Sequence, residues 1–344
     1  MYFKIGDINI GYNYSPVVIA EIGINHNGSI KIAKEMVDSA FRAGIRIIKH
    51  QTHIAGSEMS KAAKKIVPVH TKENIFDIIE NCSLSEHDEY ELLNYVKSKG
   101  MIFISTPFSR EAADRLHKWN IPAYKIGSGE CNNYPLLDHI ASFGKPIILS
   151  TGMNTIENIS KAVQIIRGHN VPYAILHTTN LYPTPNHLVR LGAISELMEV
   201  FPKTVVGLSD HTISNHSSFG AISLGASIIE RHYTDSKKRI GPDIICSMDE
   251  EECKDLIKGV EIIFKQRGGR KVPVKEEEDT AKFAFASVVS IKKINKGDYF
   301  SENNLWVKRP GIGQIKASKL KGLFGKIALN TIETDEFIKI KDFK

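Results

Sequence analysis

Eight short apolar runs, each ending in polar residues, nearly fill the first 234 residues of the chain. They are PVVIAEIGIN (16–25), IRIIKHQ (45–51), MIFISTPF (101–108), AYKIGSGE (123–130), PIILSTGM (146–153), YAILHTTN (173–180), TVVGLSDH (204–211) and SIIERHYT (227–234). Between them lie segments with helical periodicity, such as Ile32, Met36, Val37, Ala40 and Phe41, or Ala162, Ile165 and Ile166 ahead of Gly168. Strands that are apolar along their whole length are buried on both faces. Eight of them, each followed by a helix, predict a closed parallel (β/α)8 TIM barrel, with a doubly wound open sheet as the alternative.

The gap at 52–84 is the one long interruption, and with Lys61, Lys64 and Lys65 it reads as an insertion over the barrel mouth. A last helix near 249–266 closes a barrel domain spanning 1–266. RGGRKVPVKEEEDTAK (267–282) then has the composition of an exposed linker. Residues 283–344 alternate apolar and polar positions between Gly-Asp and Asn-Asn turns, which predicts a small β-rich domain. At about 60 residues such a domain is marginally stable alone and is expected to dock on something.

A length of 344 residues with 42% hydrophobic and 24% charged residues gives enough core to fold without metal or disulfide staples. Cys82, Cys131, Cys246 and Cys253 form no CxxC pair, which fits a reducing cytoplasm. MYFKIGDINIGYNYSP lacks the features of a signal peptide, and no apolar stretch approaches the roughly 20 residues that span a bilayer. The net charge of +6 is confined to the tail: residues 1–269 hold 29 basic and 29 acidic side chains, residues 270–344 hold 16 and 10. With no basic run interleaved by aromatics, this points to a local anionic partner rather than to nucleic acid or a membrane.

In a (β/α)8 barrel the reactive groups gather at the C-terminal ends of the strands. Here those ends carry Glu21, Lys49, Gln51, Thr106, Lys125, Ser128, Glu130, Ser150, Asn180, Tyr182, Ser209, His211, Glu230 and His232. Lys49 and Lys125 each sit in an otherwise apolar strand, where a lysine needs an anionic partner. A phosphate or carboxylate site is one reading, a Schiff-base lysine another. His211 and His232 end adjacent strands and are candidate ligands for a hexacoordinate divalent ion with open positions. Glu21, Glu130 and Asp243 are candidates for proton transfer or hydroxyl recognition, with structural ion pairing as the alternative.

Ten motifs, in order along nearly the whole chain, resemble the sialic acid synthases: AEIGINHNG (20–28), FISTPF (103–108), KIGSGE (125–130), ILSTGM (148–153), LHTTNLYPTP (176–185), GLSDHT (207–212), ERHYT (230–234), GPDIICSM (241–248), FAFASVV (283–289) and NLWVKRPG (304–311). LHTTNLYPTP and GPDIICSM are most similar to the bacterial N-acetylneuraminate synthases. KHQ (49–51) and HTTN (177–180) depart from the usual KFQ and HCTN. The resemblance implies condensation of phosphoenolpyruvate with open-chain N-acetylmannosamine and water, giving N-acetylneuraminate and phosphate by C–O cleavage. It also implies a divalent cation, Mn²⁺ foremost with Mg²⁺ or Co²⁺ as alternatives, and a tail of the antifreeze-like, or SAF, type.

Carried over motif by motif, Lys49, Thr106, Lys125, Ser128 and Ser150 would contact phosphoenolpyruvate, with Gln51 beside them, and Phe108 would also be substrate-binding. His211 and His232 would be the metal ligands, and Glu21 and Glu130 would sit at the reacting centre. Asn180, Tyr182, Ser209, Asp243 and Phe283 would shape the sugar site. Arg309 would reach that site from the tail of a second chain, in a domain-swapped homodimer. Legionaminic or pseudaminic acid synthases, acting on diacetamido-6-deoxy sugars, are the nearest alternatives. The sugar-phosphate synthases of the Kdo class and an ice- or carbohydrate-binding protein stand further off.

Overall fold

The computed structural model describes residues 2–67 and 73–344. The chain starts with an antiparallel hairpin, β1 (Tyr2–Ile5) and β2 (Ile8–Gly11), turned by Gly6 at φ 58°. Eight parallel strands follow: β3 (Val17–Gly23), β4 (Ile47–Thr52), β5 (Ile102–Pro107), β6 (Tyr124–Ile126), β7 (Ile147–Ser150), β8 (Tyr173–Thr178), β9 (Val205–Asp210) and β10 (Ile228–His232). They pair in sequence order, and β10 returns to β3, so the sheet is a closed barrel and the open-sheet alternative is excluded.

Two-residue alternation sorts the strand side chains. Val18, Ala20, Ile22 and Ile48 pack outward against the helices, while Ile19, Ile47, Ile104, Ala123, Ile148, Leu176 and Ile228 fill the interior. Phe3, Ile5 and Ile10 of the hairpin join that interior cluster, so the hairpin plugs the N-terminal end of the barrel. The helices are set by ordinary signals. Ser29 caps Ile30–Ala43 by accepting from the Ile32 N–H, and Gly44 at φ 94° ends it. Asp249 and Glu252 form a capping box on Glu250–Gln266.

Among the described residues, the insertion after β4 forms helices Ala55–Glu58 and Ile75–Cys82 and a 3₁₀ turn at Lys61–Lys65. Ala55, Phe76, Ile79 and Cys82 pack on Ile24, just beyond β3. Its residues 68–72 lie outside the described residues. The fourth run, read as a strand over 123–130, keeps strand geometry only to Ile126 and then turns at Ser128–Glu130.

The chain divides into two compact units, residues 1–268 and 269–344. The stretch expected as linker is helical at its end, Glu278–Ala284. In the second unit, β11 (Ser287–Ser290) pairs with β12 (Leu305–Lys308) around a small core of Val288, Ile294, Phe300, Leu305, Leu323 and Ile338. Among the described residues no helix is long and apolar enough to cross a membrane.

Candidate active site

The alternation that builds the barrel interior also builds the site. Two residues beyond Ile19, Ile47, Ile104, Ala123, Ile148 and Ile228, on the same face of each strand, come Glu21, Lys49, Thr106, Lys125, Ser150 and Glu230. An apolar layer is thus followed by a polar one, and every member of the polar layer is buried.

Buried charge requires partners, and here each has one. Lys49 pairs with Glu21, lies 3.6 Å from Glu230 Oε1, and donates to Thr106 Oγ1 at 3.3 Å. Lys125 donates to Ser150 Oγ at 2.7 Å and lies 3.3 Å from the same Glu230 oxygen. Ser209 Oγ also donates to that oxygen at 3.2 Å, and Gln51 Nε2 donates to Glu21 Oε1 at 2.9 Å. Burial raises the Glu21 carboxyl to about 7, against the pull of Lys49. Burial acts on Glu230 in the same sense, but Lys125 and Lys49 overcome it and hold that carboxyl low. Lys125 is lowered to about 8 by burial, whereas for Lys49 the two carboxylates outweigh burial and raise it.

Across the mouth, His211 and His232 have ring centroids 5.4 Å apart, and the Tyr182 ring stacks on His211 at 4.2 Å. Burial lowers His211 to about 4 and His232 to about 3, so both are neutral at pH 7. His211 Nδ1 donates to the Thr179 carbonyl at 2.9 Å, which leaves a lone pair on Nε2. His232 Nδ1 is buried with no hydrogen-bond partner, and Asp243 Oδ2 lies 3.6 Å away. Two neutral imidazoles, one with its tautomer fixed by a carbonyl, fit a divalent cation that takes its remaining ligands from substrate and water. Among the described residues, the group of three ligand atoms that do meet within 4.8 Å is His87, Asp88 and Glu91, on the outer helix Glu86–Ser98.

One cavity brings together most of the residues expected from the sequence: Lys49, Gln51, Thr106, Phe108, Lys125, Ser128, Ser150, Asn180, Tyr182, Ser209, His211 and His232 line it, together with Thr178 and Glu230. Glu21 lies directly behind that wall through Lys49 and Gln51. Glu130 is not on the wall; it is half-buried and accepts from Asn133 Nδ2 at 2.6 Å. Burial raises its carboxyl. Phe283 and Arg309 belong to the second unit and are exposed. Glu230, which accepts from both lysines, was named among the strand ends but given no role; its spacing of two from His232 in ERH was the available signal.

Gly152 marks how tightly the wall is assembled. Its N–H donates to Ser128 Oγ at 3.0 Å, and a Cβ there would lie 2.2 Å from Asn180 Oδ1 and 2.9 Å from Ser128 Oγ. Both obstacles are ends of movable side chains in the wall. Gly152→Ala is therefore expected to lower kcat/KM by about 10- to 100-fold through displaced wall groups, while thermal melting shifts by only a few degrees. A large melting shift with unchanged kinetics would show that the close approach serves folding instead.

Comparison with known proteins decides the family. The NeuB family pattern matches residues 36–272, and the SAF domain pattern matches residues 285–344. The chain belongs to the NeuB family. It is 38% identical to an uncharacterised protein of Methanocaldococcus jannaschii, covering 97% of this chain and 96% of that one. It is 36% identical to the N,N'-diacetyllegionaminic acid synthase of Campylobacter jejuni, covering 94% and 98%. The crystal structure of the N-acetylneuraminic acid synthetase of Leptospira borgpetersenii superposes with a TM-score of 0.75 at 27% identity, over 81% of this chain and 95% of that one. This NeuB-family chain is thus a synthase-type enzyme of sialic acid and related carbohydrate biosynthesis, a barrel followed by a SAF domain.

Proposed function

We propose that this NeuB-family enzyme is an N-acetylneuraminate synthase, condensing phosphoenolpyruvate with N-acetylmannosamine and water to give N-acetylneuraminate and phosphate. The observation that carries the proposal is the pair Lys49 and Lys125, buried side by side in the polar layer and flanked by Thr106, Ser128 and Ser150. Both amines hold their protons at neutral pH, which suits anion binding rather than Schiff-base chemistry. Their hydroxyl neighbours add directed donors for phosphate oxygens.

A divalent cation at His211 and His232 would supply Lewis-acid polarisation of the acceptor aldehyde. The chain's own groups do the rest. The lysines fix the enol phosphate so that its methylene carbon faces the aldehyde carbon, and they stabilise the leaving phosphate. Carbon–carbon bond formation leaves positive charge on C2 of the former enol phosphate. Water adds there, and the tetrahedral intermediate expels phosphate with cleavage of its C–O bond. Glu21, directly behind the wall through Lys49 and Gln51 and titrating near neutrality, is better placed than Glu130 to take the proton of that water. Tyr182, Asn180, Ser209 and Asp243 lie on the histidine side, where acceptor hydroxyls would be read.

The acceptor preference rests on LHTTNLYPTP and GPDIICSM, which follow β8 and β10. The second reading is a legionaminic acid synthase, favoured by the Campylobacter relative. One experiment separates them: Mn²⁺, phosphoenolpyruvate labelled with ¹⁸O at the bridging position, and a panel of N-acetylated sugars. N-acetylmannosamine is expected to give the highest kcat/KM, with label in the released phosphate. A higher value for a diacetamido-6-deoxy sugar would move the enzyme to the second reading, and label left in the sugar product would overturn C–O cleavage.

The pH dependence follows from Lys125. Its lowered value of about 8 in the free enzyme means that anion binding weakens as pH rises through that point. kcat/KM for phosphoenolpyruvate is expected to fall above about pH 8, and kcat only at higher pH, because the bound anion holds the proton on. A kcat/KM profile flat to pH 9.5 would remove Lys125 from phosphate binding.

We also propose a homodimer in which the SAF unit of one chain covers the mouth of the other, with Arg309 reaching the sugar. Met153, Leu181, Ile213, Ile240 and Ile245, in the loops after β7 to β10, are exposed, as are Phe283, Phe285 and Ile312 of the SAF unit. Apolar surface gathered at a site's rim favours a protein cover. All four cysteines are buried and free, which suits a reducing cytoplasm.

A further inference from the structure

The insertion after β4 sends a buried polar chain to the reacting centre. Gln51 Nε2 donates to Glu21 Oε1, Gln51 Oε1 lies 3.0 Å from His53 Nε2, and His53 Nδ1 faces the two Glu58 oxygens at 2.9 and 3.1 Å. The side chains of His53 and Glu58 are 3% and 7% exposed. The His53 ring lies flat on Phe108 of the cavity wall, centroids 4.3 Å apart and planes 11° from parallel.

With Glu21 ionised beside the Lys49 ammonium, the donor inventory allows one pattern. An ionised Glu21 only accepts, so Gln51 must turn its NH₂ to Glu21 and its oxygen to His53. That oxygen needs an N–H, so His53 Nε2 carries a proton. Glu58, 2.9 Å from His53 Nδ1, holds the ring in place for that bond. With the amide turned over, its oxygen would face a carboxylate and its NH₂ would face another N–H, with both hydrogen bonds lost. The terminal torsion of a glutamine is broad and nearly two-fold, so without such a partner both orientations would be populated.

We propose that His53 and Glu58 are positioning residues for the condensation, locking the Gln51 amide with its NH₂ on Glu21 and thereby tying the insertion to the reacting centre. The inference rests on the reading of Glu21 and Gln51 given above and goes beyond it by assigning work to two residues outside the cavity wall. A phenylalanine at 53 would keep the stack on Phe108 and lose the N–H. A glutamine at 53 would restore an N–H close to the Nε2 position.

The chain has only four glutamines, at 51, 164, 266 and 314, and the other three are exposed, so ¹⁵N-glutamine labelling reads the lock directly. The side-chain amide of Gln51 is expected to exchange slowly in the wild type and in His53→Gln, and rapidly in His53→Phe and Glu58→Leu. In the condensation assay, His53→Phe should lower kcat by about 10- to 100-fold with each KM within about threefold, and His53→Gln should recover most of the loss. Because His53 acts through Gln51, His53→Phe on top of Gln51→Ala should cost nothing further. Melting curves identify any variant that fails to fold, and Glu58→Leu then stands in for His53→Phe. Multiplying effects in the double variant, no rescue by His53→Gln, or a rapidly exchanging Gln51 amide in an active wild type would each overturn the proposal. A slowly exchanging amide in a wild type that condenses no sugar would instead sink the reading of function, and the kinetic role of the lock with it.

Discussion

Chelation of divalent cations is expected to stop turnover, with a loss of at least about 10³-fold, the equivalent of the several kcal/mol a Lewis acid contributes to such a transition state. Mn²⁺ should restore it, and Mg²⁺ or Co²⁺ should do so to differing extents. The expectation comes from His211 and His232, two imidazoles kept neutral by burial, one with its tautomer set by the Thr179 carbonyl and the other with an unpartnered Nδ1. A buried ring nitrogen without a hydrogen-bond partner is costly unless a ligand meets it. His211→Ala and His232→Ala should each weaken Mn²⁺ binding by calorimetry and lower the rate at limiting metal. Near-normal rates under those conditions would show that these histidines are not ligands, and the surface group at His87, Asp88 and Glu91 would be the next place to look.

Complementation between two dead variants should restore activity. Lys125→Ala removes an amine proposed to bind phosphate and leaves the buried Glu230 short of a partner, a change that costs about 3 to 5 kcal/mol in comparable pairs. Arg309→Ala removes a planar fork of donors from the exposed turn after β12. If the SAF unit of each chain serves the other's barrel, a mixed dimer contains one site with both defects and one with neither. Partial unfolding and refolding of the mixture should then bring activity toward half per mixed dimer, from a few per cent or less in either parent. Mixed dimers that form but stay inactive would place Arg309 in its own chain's site or outside any site.

Much of this arrangement was legible because a barrel strand alternates with a period of two. Once Ile47 faces inward, so does Lys49; once Ile228 does, so do Glu230 and His232. The same rule sends His50, His177 and Arg231 outward into the helix layer, where they meet Glu89, the Val189 carbonyl and Asn215. What the pattern does not contain is which charge answers which. Glu230 serves lysines 181 and 105 residues away, and three strands must close into a ring before that pairing exists. The fourth run was read too long because KIGSGE continues the apolar-polar rhythm, whereas the chain at Gly127 leaves the sheet so that Ser128 can meet the Gly152 N–H. The N-terminal hairpin was missed although YFKI and INIG alternate around a Gly-Asp turn. Its significance lies in the barrel floor it seals, which no local signal announces.

That sealed floor makes the reaction chamber a tube with one open end. The lysine layer lies deeper than Tyr182 and His211, so under the proposed function molecules would have to queue: the enol phosphate would enter ahead of the sugar, and the long product would have to clear the entrance before phosphate could follow it out. Steady-state kinetics inherit that order of traffic. Inorganic phosphate, last to leave, should compete with phosphoenolpyruvate for the empty chamber, whereas the sugar product, meeting a chamber already holding phosphate, should not.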